Sequence, residues 1–338
     1  MGKTSVLEAI HLLLFGKSYF TSNDKNNIKK GREFGRAECT IKDENQAINQ
    51  VVVKLQDKKS KVLEFNGKKV GRLSEYIGKH LTVCISPEDI KLVKGLSSDR
   101  RSFLDQCIAQ YNKSYTFALS QYGKALQQRN SMLKSFSKSG HFDKTLLEAL
   151  NGHLCKYAPL IYKARKEFIE EFNEYFNVAY SEIAPKEESV SLAYESRLAL
   201  ETMASLLESS IEKDRILCRT NLGVHKDELT MHMHGQDIKV FGSQGQVKSY
   251  VIAMKMAQFQ YLVNKTQRVP VFILDDMFDK LDRTRVEKIL FFMQGKWNAQ
   301  TFISDTDKER ISAFFQEREV IFKHIHISSN QEVEYLNV

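Results

Sequence analysis

No C-x-x-C pair occurs in these 338 residues, and the five cysteines (Cys39, Cys84, Cys107, Cys155, Cys218) are odd in number and dispersed. That arrangement argues against a disulfide framework or a zinc site and reads as reduced thiols in a core. Long apolar runs are also missing, since nothing approaches the roughly 18 consecutive apolar residues of a membrane span. The run from Val6 to Phe15 is interrupted by Glu8 and His11 and reads as a buried helix. No charged segment precedes a purely apolar one, so no cleavable signal is expected. These absences predict a cytoplasmic protein with no membrane partner. No Ser-His-Asp or Cys-His constellation can be assembled. His232 with His234, and His324 with His326, alternate on expected strands, but no third ligand accompanies either pair.

What is present is ordinary in amount and informative in order. The length suits about two domains. Fifty Lys and Arg against 42 Asp and Glu give a net charge of +8, which is compatible with a polyanionic partner and does not require one.

Residues 4–15 carry Val6, Leu7, Ile10, Leu13 and Leu14 at helical spacing, directly behind Gly2-Lys3-Thr4. Short branched strands are expected at 36–41, 48–56 and 61–65, with a two-residue hairpin turn at Asn66-Gly67. The apolar run 81–86 stops at Pro87 and predicts a further strand. From about 97 to 215 the periodicity is helical, with stripes such as Leu119, Tyr122, Leu126, Leu133 and Ile161, Ala164, Phe168, Phe172. Residues 134–144 read as a polar loop between two helices. After about 216 strands and helices alternate. Residues 271–274 form a strand apolar at every position, followed by a helix near 283–294, a strand at 301–304, a helix over 307–318 and a strand over 320–327. Such alternation predicts a mostly parallel sheet. The reading is an α/β chain with three parts: 1–98, a helical insertion at 99–215, and 216–338.

Three fragments carry chemistry. Gly2-Lys3-Thr4-Ser5 matches the end of the phosphate-binding loop G-x-x-x-x-G-K-[ST]. There Lys neutralises phosphate charge, the Thr hydroxyl meets Mg²⁺, and a helix N-terminus offers free N–H groups. Five loop residues would precede Gly2, where the chain has only Met1, so the expected history is an internal methionine taken as the start. Phe272-Ile273-Leu274-Asp275-Asp276 is an apolar strand ending in two acids, the Walker B arrangement. In it Asp275 serves Mg²⁺ and Asp276 lies where a water would attack the γ-phosphate. Phe241-Gly242-Ser243-Gln244-Gly245-Gln246 opens a helix about thirty residues earlier. S-x-G-Q, helix, strand, D-D and the turn 277–282 ending in Leu281-Asp282 follow the order of an ABC-type head, where S-x-G-Q binds a nucleotide held by a second subunit.

With these fragments in that order, the chain resembles the RecF family of SMC/ABC-type ATPases. Pro87-Glu88-Asp89 through Val93-Lys94-Gly95, then Arg100-Arg101-Ser102-Phe103-Leu104-Asp105, is similar to one family signature. Tyr122 to Asn130 is similar to a second, and Gly223-Val224-His225-Lys226-Asp227 to a third with its proline lost. Leu96-Ser97 and Asp279-Lys280 depart from the family's usual residues. The resemblance implies an ABC/SMC-like P-loop ATPase head with an inserted α-helical subdomain, using ATP and Mg²⁺. It implies an ATP-driven homodimer with slow hydrolysis, binding to double-stranded and gapped or single-stranded DNA, cooperation with RecR and RecO in loading recombinase, and a place at the nucleoid. By position, Gly2, Lys3, Thr4 and Ser5 bind the nucleotide, Thr4 and Asp275 hold Mg²⁺, Asp276 is catalytic, and Ser243, Gly245 and Gln246 act in trans. Pro87-Glu88-Asp89 falls at the Q-loop position, and 301–305 at the switch strand, without the usual histidine. Lys91, Lys94, Arg100 and Arg101 are candidate DNA-backbone contacts, with a helix-face salt-bridge role for the two arginines equally open. Two alternatives stay open: a RecF-like scaffold without ATP turnover, and a different ABC-type ATPase.

Overall fold

The computed structural model describes residues 2–338 apart from 22, 43–45, 185–186, 277–282, 295–298, 306–314, 317–321, 328–332 and 338. Two compact units result, one from 1–89 with 267–338 and the other from 90–266.

The first unit opens with helix α1 (Lys3–Phe15), entered from Gly2 at φ 114° and closed by Gly16 at φ 81°. A Cβ on Gly16 would stand 2.5 Å from Leu73 Cδ1, so space and backbone both require glycine there. Strands β1 (Phe34–Lys42), β2 (Ile48–Gln56), β3 (Val62–Phe65) and β4 (Lys68–Lys69) form an antiparallel sheet in sequential order. Asn66 and Gly67 turn the β3–β4 hairpin at φ 51° and 74°, the paired positive angles that the Asn-Gly dipeptide supplies at low steric cost. Helix α2 (Leu73–Tyr76) and strand β5 (Thr82–Ile85) follow. Leu12 and Leu13 of α1 join Val51, Val53, Leu55, Leu63 and Tyr76 in one core.

The second unit begins with α3 (Lys91–Lys94), α4 (Ser97–Ala109), α5 (Lys113–Ser139) and α6 (Lys144–Ile183). The loop expected over 134–144 is shorter: α5 runs to Ser139, where Phe136 packs on Phe142 at 5.3 Å, and only 140–143 connect the helices. Strand β6 (Val190–Glu195), α7 (Met203–Ser209), α8 (Ile211–Leu217), β7 (Glu228–Met233), β8 (Gln236–Asp237), α9 (Ile238–Phe241) and α10 (Gln244–Thr266) complete it. β6 lies inside the block read as helical. Val190 and Leu192 alternate inward, a period of two that the longer helical stripes masked. It pairs antiparallel with β7, Leu192 opposite Met231.

The chain then returns to the first unit with β9 (Val271–Asp275), α11 (Arg283–Gln294), β10 (Thr301–Ser304), β11 (Lys323–Ile327) and β12 (Val333–Asn337). β9 is the centre of a parallel sheet ordered β10-β9-β5. Phe272, Ile273 and Leu274 are fully buried, as a strand covered on both faces demands. Leu7 of α1 packs on Cys84 and Ile273, so α1 has the parallel sheet on one side and the antiparallel sheet on the other. The turn expected over 277–282 and most of the helix expected over 307–318 lie outside the described residues.

Candidate nucleotide site

α1 and β9 are far apart in sequence and meet at one corner of the first unit. Packing Leu7 on Ile273 sets the helix N-terminus over the C-terminal edge of the parallel sheet, which is where open α/β sheets bind ligands. Thr4 Oγ1 donates to Asp275 Oδ1 at 3.2 Å. Ser304 Oγ, at the end of the neighbouring strand β10, donates to the same oxygen at 2.6 Å. Lys3 Nζ donates to the Asp305 backbone carbonyl at 2.7 Å. The cluster is thus two hydroxyls, an ammonium and a buried carboxylate held by two strands and one helix.

Asp276 follows at φ 44°, a left-handed conformation that few non-glycine residues adopt. Its N–H donates to Ser304 Oγ at 3.1 Å and to the Ser304 carbonyl at 3.2 Å. Its Oδ1 is buried with no hydrogen-bond partner among the described residues. A buried carboxylate oxygen without a donor is costly unless a ligand or water completes it. Gly2 offers no side chain to cap α1, so the first-turn N–H groups have no capping side chain. This donor set suits a triphosphate with a divalent cation: hydroxyl and carboxylate oxygens for the hard metal, ammonium and helix amides for phosphate oxygens.

Of the residues singled out in the sequence, Gly2, Lys3, Thr4, Asp275 and Asp276 come together, with Ser5 exposed in the first turn of α1. Ser243, Gly245 and Gln246 belong to the other unit, at the start of α10. There Ser243 Oγ accepts from Gln246 N–H at 3.2 Å and Gln246 Oε1 accepts from Ser243 N–H at 3.0 Å. This reciprocal capping box fixes the helix entry.

The sequence reading placed 301–305 at the switch strand but gave no site contact to Ser304 or the Asp305 carbonyl. Only the register of β10 against β9, Ser304 beside Asp275, reveals them. It also missed what Asp89 does. Asp89 is buried, accepts from Ser86 N–H at 2.7 Å and from the Tyr19 hydroxyl. The Tyr19 N–H in turn donates to Glu8 of α1 at 3.1 Å. Burial holds the Glu8 carboxyl above its ordinary range despite these donors. Tyr19 therefore ties the nucleotide helix to the turn that leaves β5. Arg100 and Arg101 are engaged within the second unit, Arg100 Nε with Glu228 at 2.6 Å and Arg101 Nη1 with the Asp227 carbonyl at 2.6 Å. Lys94 Nζ donates to the Lys239 carbonyl at 2.5 Å.

A helix N-terminus bearing Lys-Thr over a parallel sheet, beside an apolar strand that ends in two acids, defines a P-loop ATPase head of the ABC/SMC type. An SMC head from Pyrococcus furiosus shares this fold at TM-score 0.54 and 16% identity. The AAA domain family matches residues 1–214. The chain belongs to the RecF family of DNA replication and repair proteins. It is 42% identical to RecF of Flavobacterium johnsoniae over 96% of this chain and 90% of that one, and 40% identical to RecF of Porphyromonas gingivalis over 92% and 85%. A solved RecF–ATP structure, of a recombination mediator protein in the RecFOR pathway, superposes at TM-score 0.83 with 29% identity, covering 91% of this chain and 84% of that one. A companion RecF-ATPrS structure gives TM-score 0.85, 27% identity and 99% and 89% coverage.

Proposed function

We propose that this chain binds ATP with Mg²⁺, dimerises on doing so, and in that state binds DNA in recombinational repair, hydrolysing ATP slowly. The observation that carries the reading is the cluster of Lys3, Thr4, Asp275 and Asp276, with one Asp276 oxygen buried and without a partner among the described residues. Lys3 releases the Asp305 carbonyl and turns to phosphate oxygens. Thr4 and Asp275 would hold the cation, which when bound would neutralise charge developing on the phosphates. Asp276 orients the attacking water with its free oxygen. Gly2 and Ser5 present first-turn groups of α1 to the phosphates. Ser243, Gly245 and Gln246 reach the nucleotide of a second copy, so the site is completed in trans. The parts 1–98 and 216–338 form the head and 99–215 the helical insertion. The setting is the cytoplasm at the nucleoid, with RecR and RecO as partners; among the described residues no helix is long and apolar enough to cross a membrane.

The test compares ATP-dependent dimerisation, by light scattering, for the wild-type chain and Asp276→Asn. The wild type dimerises on adding ATP and reverts as ATP is consumed. The variant dimerises and stays dimeric, with turnover reduced at least about 100-fold, the scale of losing one positioned catalytic group. If neither protein dimerises with ATP, the reading fails.

A further inference from the structure

The basic surplus of the chain is concentrated in one place. Residues 24–33 and 54–61 carry eight Lys and Arg against three Asp and Glu, a net of five charges out of the +8 of the whole chain. These two segments are neighbours in the first unit. Asp57 N–H donates to the Glu33 carbonyl at 2.9 Å, and Gln56 stands opposite Phe34 in the β1–β2 register. Between them lies a cleft of about 460 Å³ lined by Lys25, Lys58, Lys59 and Lys61, with Asp24 and Asp57 in its wall.

The charges of the cleft fall into two groups. Lys25 pairs with Asp57 at 3.1 Å, and Lys61 with Asp24 at 3.0 Å. These pairs fix the cleft wall, and the lysine beside Asp57 holds that carboxyl below its usual range. Lys58 and Lys59 are exposed and, among the described residues, make no ion pair. They occupy the turn that closes β2, where Lys59 N–H donates to the Gln56 carbonyl at 3.2 Å. Lys58 sits at φ 61°, a left-handed position that this kind of turn ordinarily gives to glycine or asparagine. A long cationic side chain thus stands at a left-handed position, beside a second one and in the lining of the cleft.

Lysines without rigid forks, spread along an open cleft, suit a repeating anion better than one bidentate carboxylate. We propose that this lysine cleft is a seat for the backbone of duplex DNA, with Lys58 and Lys59 each contacting a phosphate and the Asp-paired Lys25 and Lys61 flanking them. The proposal rests on the DNA-binding reading above. It places the contact on the antiparallel sheet of the first unit, whereas Arg100, Arg101 and Lys94 are engaged within the second.

Binding of a fluorescein-labelled duplex oligonucleotide, with ATP present, is measured against salt concentration for the wild type, for Lys58→Gln/Lys59→Gln, for Lys58→Arg/Lys59→Arg, and for a control, Lys68→Gln/Lys69→Gln, on the same sheet. Loss of two phosphate contacts lowers the slope of log K against log salt by about 2 and weakens binding by roughly tenfold to a hundredfold near 0.1 M salt. The arginine variant retains the slope and the Lys68/Lys69 control stays within about half a slope unit of wild type. ATP affinity, read with a fluorescent analogue, is unchanged in all. An unchanged slope in the Lys58/Lys59 glutamine variant, or an equal drop in the control, overturns the seat while leaving DNA binding intact. A wild type that binds no duplex with ATP overturns the DNA-binding reading and the seat together.

Discussion

His225 illustrates how one polar residue is locked by its surroundings. Its Nε2 lies 3.1 Å from the Thr220 carbonyl, which can only accept, so Nε2 carries the proton. Nδ1 then accepts from the Tyr122 hydroxyl at 2.7 Å. Burial pushes the imidazole down to about 4, with Lys226 and Arg101 adding to the fall and the Thr220 bond and Asp214 opposing it. In the unfolded chain a histidine titrates near 6.5. Between those values the unfolded state binds more protons, so this contribution to stability is complete above about 6.5 and is lost as pH falls toward 4. The predicted loss across that window is at most about 3 kcal/mol. Subtracting the urea-unfolding free energies of His225→Gln from those of wild type, from pH 7 to pH 4.5, isolates it. The difference shrinks as pH falls; a flat difference would contradict the neutral, buried imidazole.

Among the elements, the long helices of the second unit are fastened by arginines as well as apolar stripes. Arg129 of α5 is fully buried and paired with Asp214 of α8 at 2.7 Å, with Thr220 Oγ1 at 2.7 Å and Asn151 of α6 at 2.8 Å beside it. Arg165 of α6 reaches Asp105 of α4 at 2.8 Å and the Val224 carbonyl at 2.8 Å. Stripes read by hydrophobic spacing pass over such residues. Ala118, Tyr122, Ala125 and Leu133 mark the inward face of α5, and Arg129 belongs to that face with them. Asp214→Asn leaves a buried guanidinium without its counter-charge, and about 3–5 kcal/mol of unfolding free energy is expected to be lost. Adding Arg129→Met to that variant restores at least half of the loss, because no charge then remains buried. Urea denaturation of the single and double variants checks both values.

At the scale of the whole molecule, the proposed nucleotide cycle requires two copies. Ser243 lies exposed at the start of α10, its hydroxyl and N–H engaged in the capping box and its carbonyl accepting from Val247 N–H at 2.9 Å. Ser243→Arg is predicted to abolish ATP-driven dimerisation, because a bulky cation stands where a second copy's nucleotide would approach. ATP binding to the monomer stays within about twofold, and loss of the cap costs about 1 kcal/mol of stability. Light scattering with ATP, and titration with a fluorescent ATP analogue, separate the two effects. A variant that dimerises like wild type would remove α10 from the site in trans.

Much of this chain was readable in order along the sequence. The apolar strand ending in Asp275-Asp276, the Asn66-Gly67 hairpin and the helix behind Gly2-Lys3-Thr4 are local patterns, set by burial on two faces, by positive φ and by uncapped amides. Their order sufficed for the class of ATPase head. Local pattern could not say which residues meet across hundreds of positions. Ser304 joins Asp275 only because β10 pairs with β9 in one register. Lys58 and Lys59 share a cleft with Lys25 only because β2 folds back against the 24–33 segment. Asp89 was read only by its place at the Q-loop position, and Arg100-Arg101 as DNA contacts or a helix-face salt-bridge pair; tertiary structure gave all three internal partners. Sequence determined the elements and the order of the chemical groups, because those depend on neighbours in the chain. Tertiary structure alone decided which charges are spent inside and which remain free, because pairing depends on distances that only packing sets.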